Sequence, residues 1–402
     1  MRPGMGWIVP VWGVFVATNA WGQPLRLRAD VVGEARAPAG LVVLQAADRY
    51  RPWLEAEGLV WMGGQSTTGS TLGFRGSEHS AADVLILTIK LREPHGLGEL
   101  RAGRFVFSTG AIRPMHVDAV SGVVRFPGGT SVEAMGGFLV APEAVPSRRD
   151  WAGAARVAQR LSARFVLGGS YVRHQTAAGL ATEEVGADLA TTPAAFLDLA
   201  GKAAYDLLSR GVAEASFSAA LRWSGDWRLE LFGSHRSPGR LLPATSLFSV
   251  LGDFPAETMG SMLRWEAAPR LDLVVSAAGQ WVGGRAGGQG ALRATLRTDD
   301  QGDGRLGLEL RRQDVTTARW LGIRLIVSEP LVKQVRASAE IEFVRPDVAE
   351  DRGSVWPWGL LALSWRSGTG WEAATALEAG AGPQRRFETN ALLRVARLFD
   401  AL

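Results

Sequence analysis

From Leu25 to the end of the 402-residue chain, apolar and polar residues alternate one by one in successive runs. A period of two puts neighbouring side chains on opposite faces of a strand, whereas a helix repeats at 3.6. In the Leu271–Trp281 run, Leu271, Leu273, Val275, Ala277 and Trp281 share one face, and Asp272, Ser276 and Gln280 share the other. In the Val212–Trp223 run, Ala213, Ala215, Phe217, Ala219, Leu221 and Trp223 oppose Glu214, Ser216, Ser218 and Arg222. Leu306, Leu308 and Leu310 oppose Arg305, Glu309 and Arg311 in the same way. So do Val335, Ala337, Ala339, Ile341 and Phe343 against Gln334, Arg336, Ser338, Glu340 and Glu342. Near the front, Leu85, Leu87, Ile89 and Leu91 oppose Thr88, Lys90 and Arg92. Such runs are about ten residues long, the length a tilted strand needs to cross a bilayer core.

A soluble sandwich also alternates, so two further features carry the choice of architecture. Connections in the C-terminal half alternate between tight and long. Tight turns are predicted at Ser224-Gly225-Asp226, Ala267-Ala268-Pro269-Arg270, Asp299 to Asp303, Glu329-Pro330-Leu331 and Ser367-Gly368-Thr369-Gly370. Longer loops are predicted at Arg236 to Glu257, Gly283 to Gly288, Arg345 to Val355 and Ala381 to Arg385, with only Val315 to Ala318 out of step. Membrane barrels place short turns on one side and long loops on the other. Tryptophans also mark the tight turns: Trp223 and Trp227 flank the first, Trp265 borders the second, and Trp365 and Trp371 flank the last. Indoles there suit an aromatic girdle at the membrane–water interface; the competing account is core tryptophan in a soluble sheet. The expected fold is all-β: a single transmembrane antiparallel barrel of roughly 18 to 22 strands. About eleven of them lie between Val212 and Phe399, and front-half candidates run from Leu25–Ala35 to Ala195–Leu207.

The first residues read as a cleaved signal peptide over 1–22. Arg2 supplies the positive end, Trp7 to Val16 the apolar core, and Ala20-Trp21-Gly22 the small-residue site before Gln23. A transmembrane helix needs roughly 20 apolar residues, about twice what this segment has. Residues 23–402 then form one barrel domain. No cysteine is present, so an exported chain of this kind has no disulfide framework and no lipoprotein anchor. The formal charge is +4, and lysine occurs only at Lys90, Lys202 and Lys333, leaving arginine as the dominant cation. Codon bias gives the same excess, but arginine also suits a pore wall. No basic run interleaved with aromatics supports nucleic-acid binding.

The five histidines (His79, His95, His116, His174 and His235) are scattered, with no metal-ligand spacing. No nucleophile elbow is present. The Gly283 to Gly290 run lacks the Lys-Ser/Thr of a phosphate loop and reads as a flexible loop; Asp299 to Gly304 lacks the closing Glu of a calcium loop and reads as a solvated turn. No catalytic residue, cofactor or metal is expected. What remains is the polar face of the strands: Glu214, Arg222, Arg228, Glu230, Asp272, Arg305, Glu309, Arg311, Arg336, Glu340 and Glu342, with Glu372 and Glu378. These charges either pair across strands or project into water and set selectivity. With both signs present, the sequence favours neither anions nor cations. The Arg236 to Glu257 connection is apolar for a loop, with Leu247, Phe248 and Phe254 among its large side chains. It is expected either to pack on the rim or to fold into the mouth and present Arg236 or Arg240 to solutes.

By its pattern the mature chain resembles bacterial outer-membrane porin-like barrels. Gly103-Arg104-Phe105, Asp118, Arg125, Gly129, Val132 and Ala134 locally resemble a hairpin of porins and of alginate-export-type barrels. The last strand, with Ala391, Leu393, Val395 and Phe399 on one side, alternates as a β-signal should, but Asp400-Ala401-Leu402 replaces a terminal aromatic. The resemblance implies an outer-membrane location, with lipid, lipopolysaccharide and the barrel-assembly machinery as partners, other envelope proteins as further partners, and no nucleic acid. It implies a passive or weakly selective channel for small solutes; the alternative is a barrel component of an envelope export or assembly complex, for example in polysaccharide secretion.

Overall fold

The computed structural model describes residues 25–34, 39–48, 54–65, 79–140, 150–237, 256–301, 303–315, 318–347, 354–381 and 387–400. The expected signal peptide and most of the Arg236 to Glu257 connection lie outside them. The described chain forms β1 (Leu25–Glu34), β2 (Ala39–Asp48), β3 (Leu54–Gln65), β4 (His79–Arg92), β5 (Gly98–Phe107), β6 (Met115–Arg125), β7 (Thr130–Leu139) and β8 (Trp151–Ser162). These are followed by β9 (Phe165–Thr176), β10 (Gly179–Ala194), β11 (Leu197–Asp206), β12 (Gly211–Ser224), β13 (Trp227–Arg236), β14 (Ala256–Ala268) and β15 (Leu271–Val282). The last are β16 (Arg285–Arg297), β17 (Arg305–Val315), β18 (Ala318–Val332), β19 (Val335–Pro346), β20 (Trp356–Arg366), β21 (Trp371–Gly380) and β22 (Glu388–Asp400).

All 22 strands belong to one sheet. Each pairs antiparallel with its neighbour in sequence, as β15 does with β16 from Leu271↔Leu296 to Val282↔Arg285. Antiparallel pairing with β22, from Arg26↔Asp400 to Glu34↔Leu392, gives β1 its second partner and closes the sheet on itself. Closure leaves no sheet edge, the arrangement a strand-built membrane protein requires. The fold is therefore a closed antiparallel barrel with the predicted strand range at its upper end.

The two faces of the wall differ as the alternation requires. Outward side chains are large, apolar and exposed: Leu87, Ile89, Val120, Val157, Val275, Leu292, Leu308, Ile323, Phe343, Leu361 and Leu393 among them. Inward positions carry polar and charged groups, and an apolar cluster also lies inside. Phe105, Phe107, Val117, Ala119, Met135, Ala152, Ala154 and Val172, from the inner faces of β5 to β9, pack with Ile112 of the β5–β6 connection.

Three local expectations need correcting. Ala213 faces inward and is fully buried, because a bulge opposite Ala204/Tyr205 inserts one residue and flips the face; Val212 points out in its place. Glu329-Pro330-Leu331 belongs to β18, and the turn comes after it, at Lys333-Gln334. The Gly283 to Gly288 loop is a two-residue hairpin turn, Gly283-Gly284, with φ of 55° and 77°, and β16 starts at Arg285. Two glycines with positive φ make the tight turn that matches the twist of flanking strands.

Candidate functional site: the inner wall of the barrel

Alternation brings the charged residues of the polar faces to the interior, where they meet partners across strands. On β16 to β19, Arg293 Nε donates to Glu309 at 2.5 Å, and Arg311 Nε lies 3.2 Å from the other oxygen of the same carboxylate. Arg311 also binds Glu342, and Arg324 binds Glu340. Arg264 Nε donates to Asp272 at 2.9 Å, and Arg228 pairs with Glu230 at 2.6 Å. Arg222 binds Asp198. Glu214 lies between Lys202 (3.7 Å) and Arg236 (3.8 Å). Arg336 Nη1 donates to the Asp303 carbonyl at 2.8 Å, below β19, and Arg305 opens the inward row of β17. Glu378 accepts from the Trp358 indole at 2.6 Å, and Glu372 lies 2.8 Å from Arg366. Pairing across and along strands thus balances most of these charges, at the modest energies usual for pairs in contact with water, while Arg324 Nε stays buried without a hydrogen bond.

A feature that sequence reasoning missed lies opposite this ladder. The connection from Ser108 to Pro114 turns inward and rests on the inner face of β7 to β10. Ala111 and Ile112 are buried there. Arg113 binds Glu184 on β10, whose side chain is almost wholly enclosed, and Thr109 binds Glu133 on β7. Gly110 sits against the Arg156–Asp188 pair (3.0 Å), so closely that a Cβ would overlap both side chains. The segment therefore fills part of the interior along one sector. Its sequence signal is small: an Ala-Ile pair between Gly110 and Pro114, in a connection longer than a tight hairpin turn.

The wall itself has one short seam. The β4–β5 ladder stops at Leu87↔Arg104, although β4 continues to His79 paired with β3, past a register shift between Leu59↔Ile86 and Val60↔Val84. Gly103, with φ of 119°, lies where the ladder ends, and a Cβ on it would overlap the Leu87 carbonyl oxygen. Beyond that point, side chains on the outer face take over. Arg104 Nη1 donates to the Val84 carbonyl at 2.8 Å, and His116 Nε2 donates to that of Leu85 at 2.6 Å. Arg104 also holds Asp118 through two bonds of 2.7 and 2.8 Å. The Gly103-Arg104 … Asp118 residues thus organise the wall, not the interior.

The tryptophans at the tight turns gather on the outer face. Trp223 and Trp227 stack at 6.1 Å, and Trp227 and Trp265 at 4.9 Å, across three adjacent strands. Trp365 is exposed on the same rim, and Trp371 lies against Arg397 at 4.7 Å. At the opposite rim, Trp151, Tyr171, Tyr205 and Trp281 are exposed outward. Of the expected constriction loop, Arg236 is at the end of β13; Arg240, Leu247, Phe248 and Phe254 lie outside the described residues. Asp299 accepts from the amides of Asp303 and Gly304, both at 2.8 Å, so its carboxylate caps its own turn. Among the described residues, no three His, Asp or Glu side chains gather as a metal site.

No protein-family model matches the chain. No curated protein matches it in sequence. Solved structures do match in shape. The ferric enterobactin receptor PfeA of Pseudomonas aeruginosa (R480A/Q482A mutant) superposes with a TM-score of 0.59 at 8% identity, covering 94% of this chain and 81% of that one. The FrpB iron transporter of Neisseria meningitidis gives a TM-score of 0.56 at 8% identity, over 94% and 81%. The PapC translocation pore of the P pilus usher gives 0.53 at 9% identity, over 94% and 99%. At these identities the likeness is one of fold: a large single-chain β-barrel.

Proposed function

We propose that the chain is a Gram-negative outer-membrane channel for small hydrophilic solutes, exported with a cleaved signal peptide. One observation carries the reading. The closed ladder turns an apolar surface outward and a charged, paired surface inward. An apolar exterior is stable only in hydrocarbon, and a charged interior only in water. The stacked tryptophans and the opposite aromatic rim then lie at the two interfaces, where lipid and lipopolysaccharide headgroups meet the wall. The Ser108–Pro114 segment narrows the passage, and the reading assigns no catalytic residue. Barrel-assembly machinery and other envelope proteins are its proposed partners. Three barrels that share the fold are described as a receptor, a transporter and a translocation pore, which supports a transport role in general terms.

The test is conductance of the purified protein in planar bilayers. Discrete current steps are expected. The Arg113→Ala/Glu184→Ala double variant, which removes both halves of the latch and so strands no buried charge, is expected to raise the step size. Folded, inserted protein that carries no current would refute the channel.

A further inference from the structure

The inner wall carries charges of both signs, yet register and depth do not treat the signs equally. Following the pairings around the barrel, one inward row reads Arg222, Arg228, Arg264, Val274, Arg293, Glu309, Arg324 and Glu342. Neighbouring strands lie roughly 4.8 Å apart, so Arg222, Arg228 and Arg264 stand side by side on three consecutive strands. Each arginine of the row has a carboxylate partner, and in every pair but one the carboxylate is less exposed than the arginine. Arg293 is 48% exposed against 5% for Glu309. Arg264 is 44% exposed against 20% for Asp272, and Arg228 49% against 30% for Glu230. Arg222 and Arg324 show the same order against Asp198 and Glu340. Glu266, as open as Arg264, is the one exception beside the row.

The physical cause is side-chain length. Inward carboxylates stay near the backbone, where they accept from arginine stems, while the guanidinium groups at the ends of longer chains reach the water. A solute in the lumen therefore meets cations first and counter-charges behind them. Clefts lined in this way attract ions of opposite sign even where the summed charge is close to zero.

We propose that the β12–β18 wall is an arginine track for anionic solutes, and above all for solutes carrying several carboxylate or phosphate groups that can bridge adjacent guanidiniums. The inference rests on the channel reading for its biological meaning and on the wall geometry for its chemistry. The planar-bilayer test is the zero-current potential in a KCl gradient, with inorganic tripolyphosphate as the blocking probe. Anion preference is expected, with tripolyphosphate reducing current at lower concentration than chloride competes. The Arg228→Gln/Arg264→Gln/Arg293→Gln variant is expected to lose at least half of the anion preference and to bind tripolyphosphate at least tenfold more weakly. Glu309 keeps Arg311 as a partner in that variant, so its buried carboxylate is not stranded. The matching triple Lys variant should retain the preference, because charge is kept.

Calorimetric titration of tripolyphosphate into detergent-solubilised, heat-modifiable protein separates this inference from the one beneath it. Binding that the Gln variant loses, in protein that conducts no current, would remove the channel and keep the track. Cation preference, a Gln variant that behaves like wild type, or absence of tripolyphosphate binding would overturn the track while leaving a conducting channel intact.

Discussion

Placing an arginine at Val275 measures the outward face directly. Val275 is exposed on β15, with Leu263 on β14 and Leu292 on β16 as its row neighbours. The row continues through Leu310, Ile323 and Phe343 without a polar side chain. A guanidinium inserted there would have no carboxylate or water to satisfy its donors. Near the bilayer midplane such a substitution costs roughly 2–4 kcal/mol, falling to about 0–1 near the interfaces. At about 1.4 kcal/mol per decade, that is a shift of roughly 30- to 700-fold in the folding equilibrium. The control is the next residue. Ser276 faces inward between Met262 and Ala291, where an added arginine can extend into the lumen. Ser276→Arg is expected to change stability by no more than about 0.5 kcal/mol, the usual range for solvated positions. Reversible urea unfolding in lipid vesicles, followed by tryptophan fluorescence, gives both values. Equal costs, or a larger cost for Ser276→Arg, would refute the face assignment and with it the membrane barrel.

Unboiled protein in detergent is expected to migrate differently from boiled protein on a gel, since a ladder without an edge resists detergent until heated; identical migration of folded material would count against closure. Gly103→Ala is expected to destabilise by about 1–3 kcal/mol, because the new Cβ meets the Leu87 carbonyl at a φ that alanine resists. A cost below about 0.5 kcal/mol in the same urea assay would show that the seam relaxes freely. In the β4–β5 turn, amides of His95 and Leu97 donate to Glu93 at 2.9 and 3.0 Å and, with the His95 side chain, hold its carboxyl below the ordinary range. A depressed folded value means stability that is present at neutral pH and lost as pH falls through it. Hydrogen exchange at His95 and Leu97 should therefore quicken below the ordinary carboxylate range, and Glu93→Gln should abolish that pH dependence.

The strands were legible because a wall with two solvents forces a period of two on each of them. The eleven strands expected after Val212 are β12 to β22. Ala213 was misplaced because a bulge adds a residue without any change in composition. The hairpin around Gly103, Arg104 and Asp118 was visible as a motif, but its work is to finish a short ladder, so it carried no information about a solute. The Ser108–Pro114 segment escaped notice because its anchors, Glu133, Arg156, Glu184 and Asp188, come from three later strands. The arginine row was invisible for a related reason. Arg222, Arg228, Arg264 and Arg293 are spread along the sequence, and only register puts them in one row. Relative depth, which separates the signs, is absent from any count of charges.

The pairing of β1 with β22 has a consequence for how the molecule forms. Every other pairing joins segments adjacent along the chain, so the sheet can grow one hairpin at a time. Only this last joint, from Arg26↔Asp400 to Glu34↔Leu392, brings together residues from opposite ends of the chain. The entropic cost of that step grows slowly, at about 0.6 kcal/mol per doubling of loop length, so thermodynamics scarcely resists it. Its difficulty is kinetic. Until the two ends meet, β1 and β22 each offer a bare row of donors and acceptors to any other strand nearby. A growing sheet of this size must therefore be shielded at two edges at once, and the order in which those edges are released decides between a monomeric barrel and a chain of sheets.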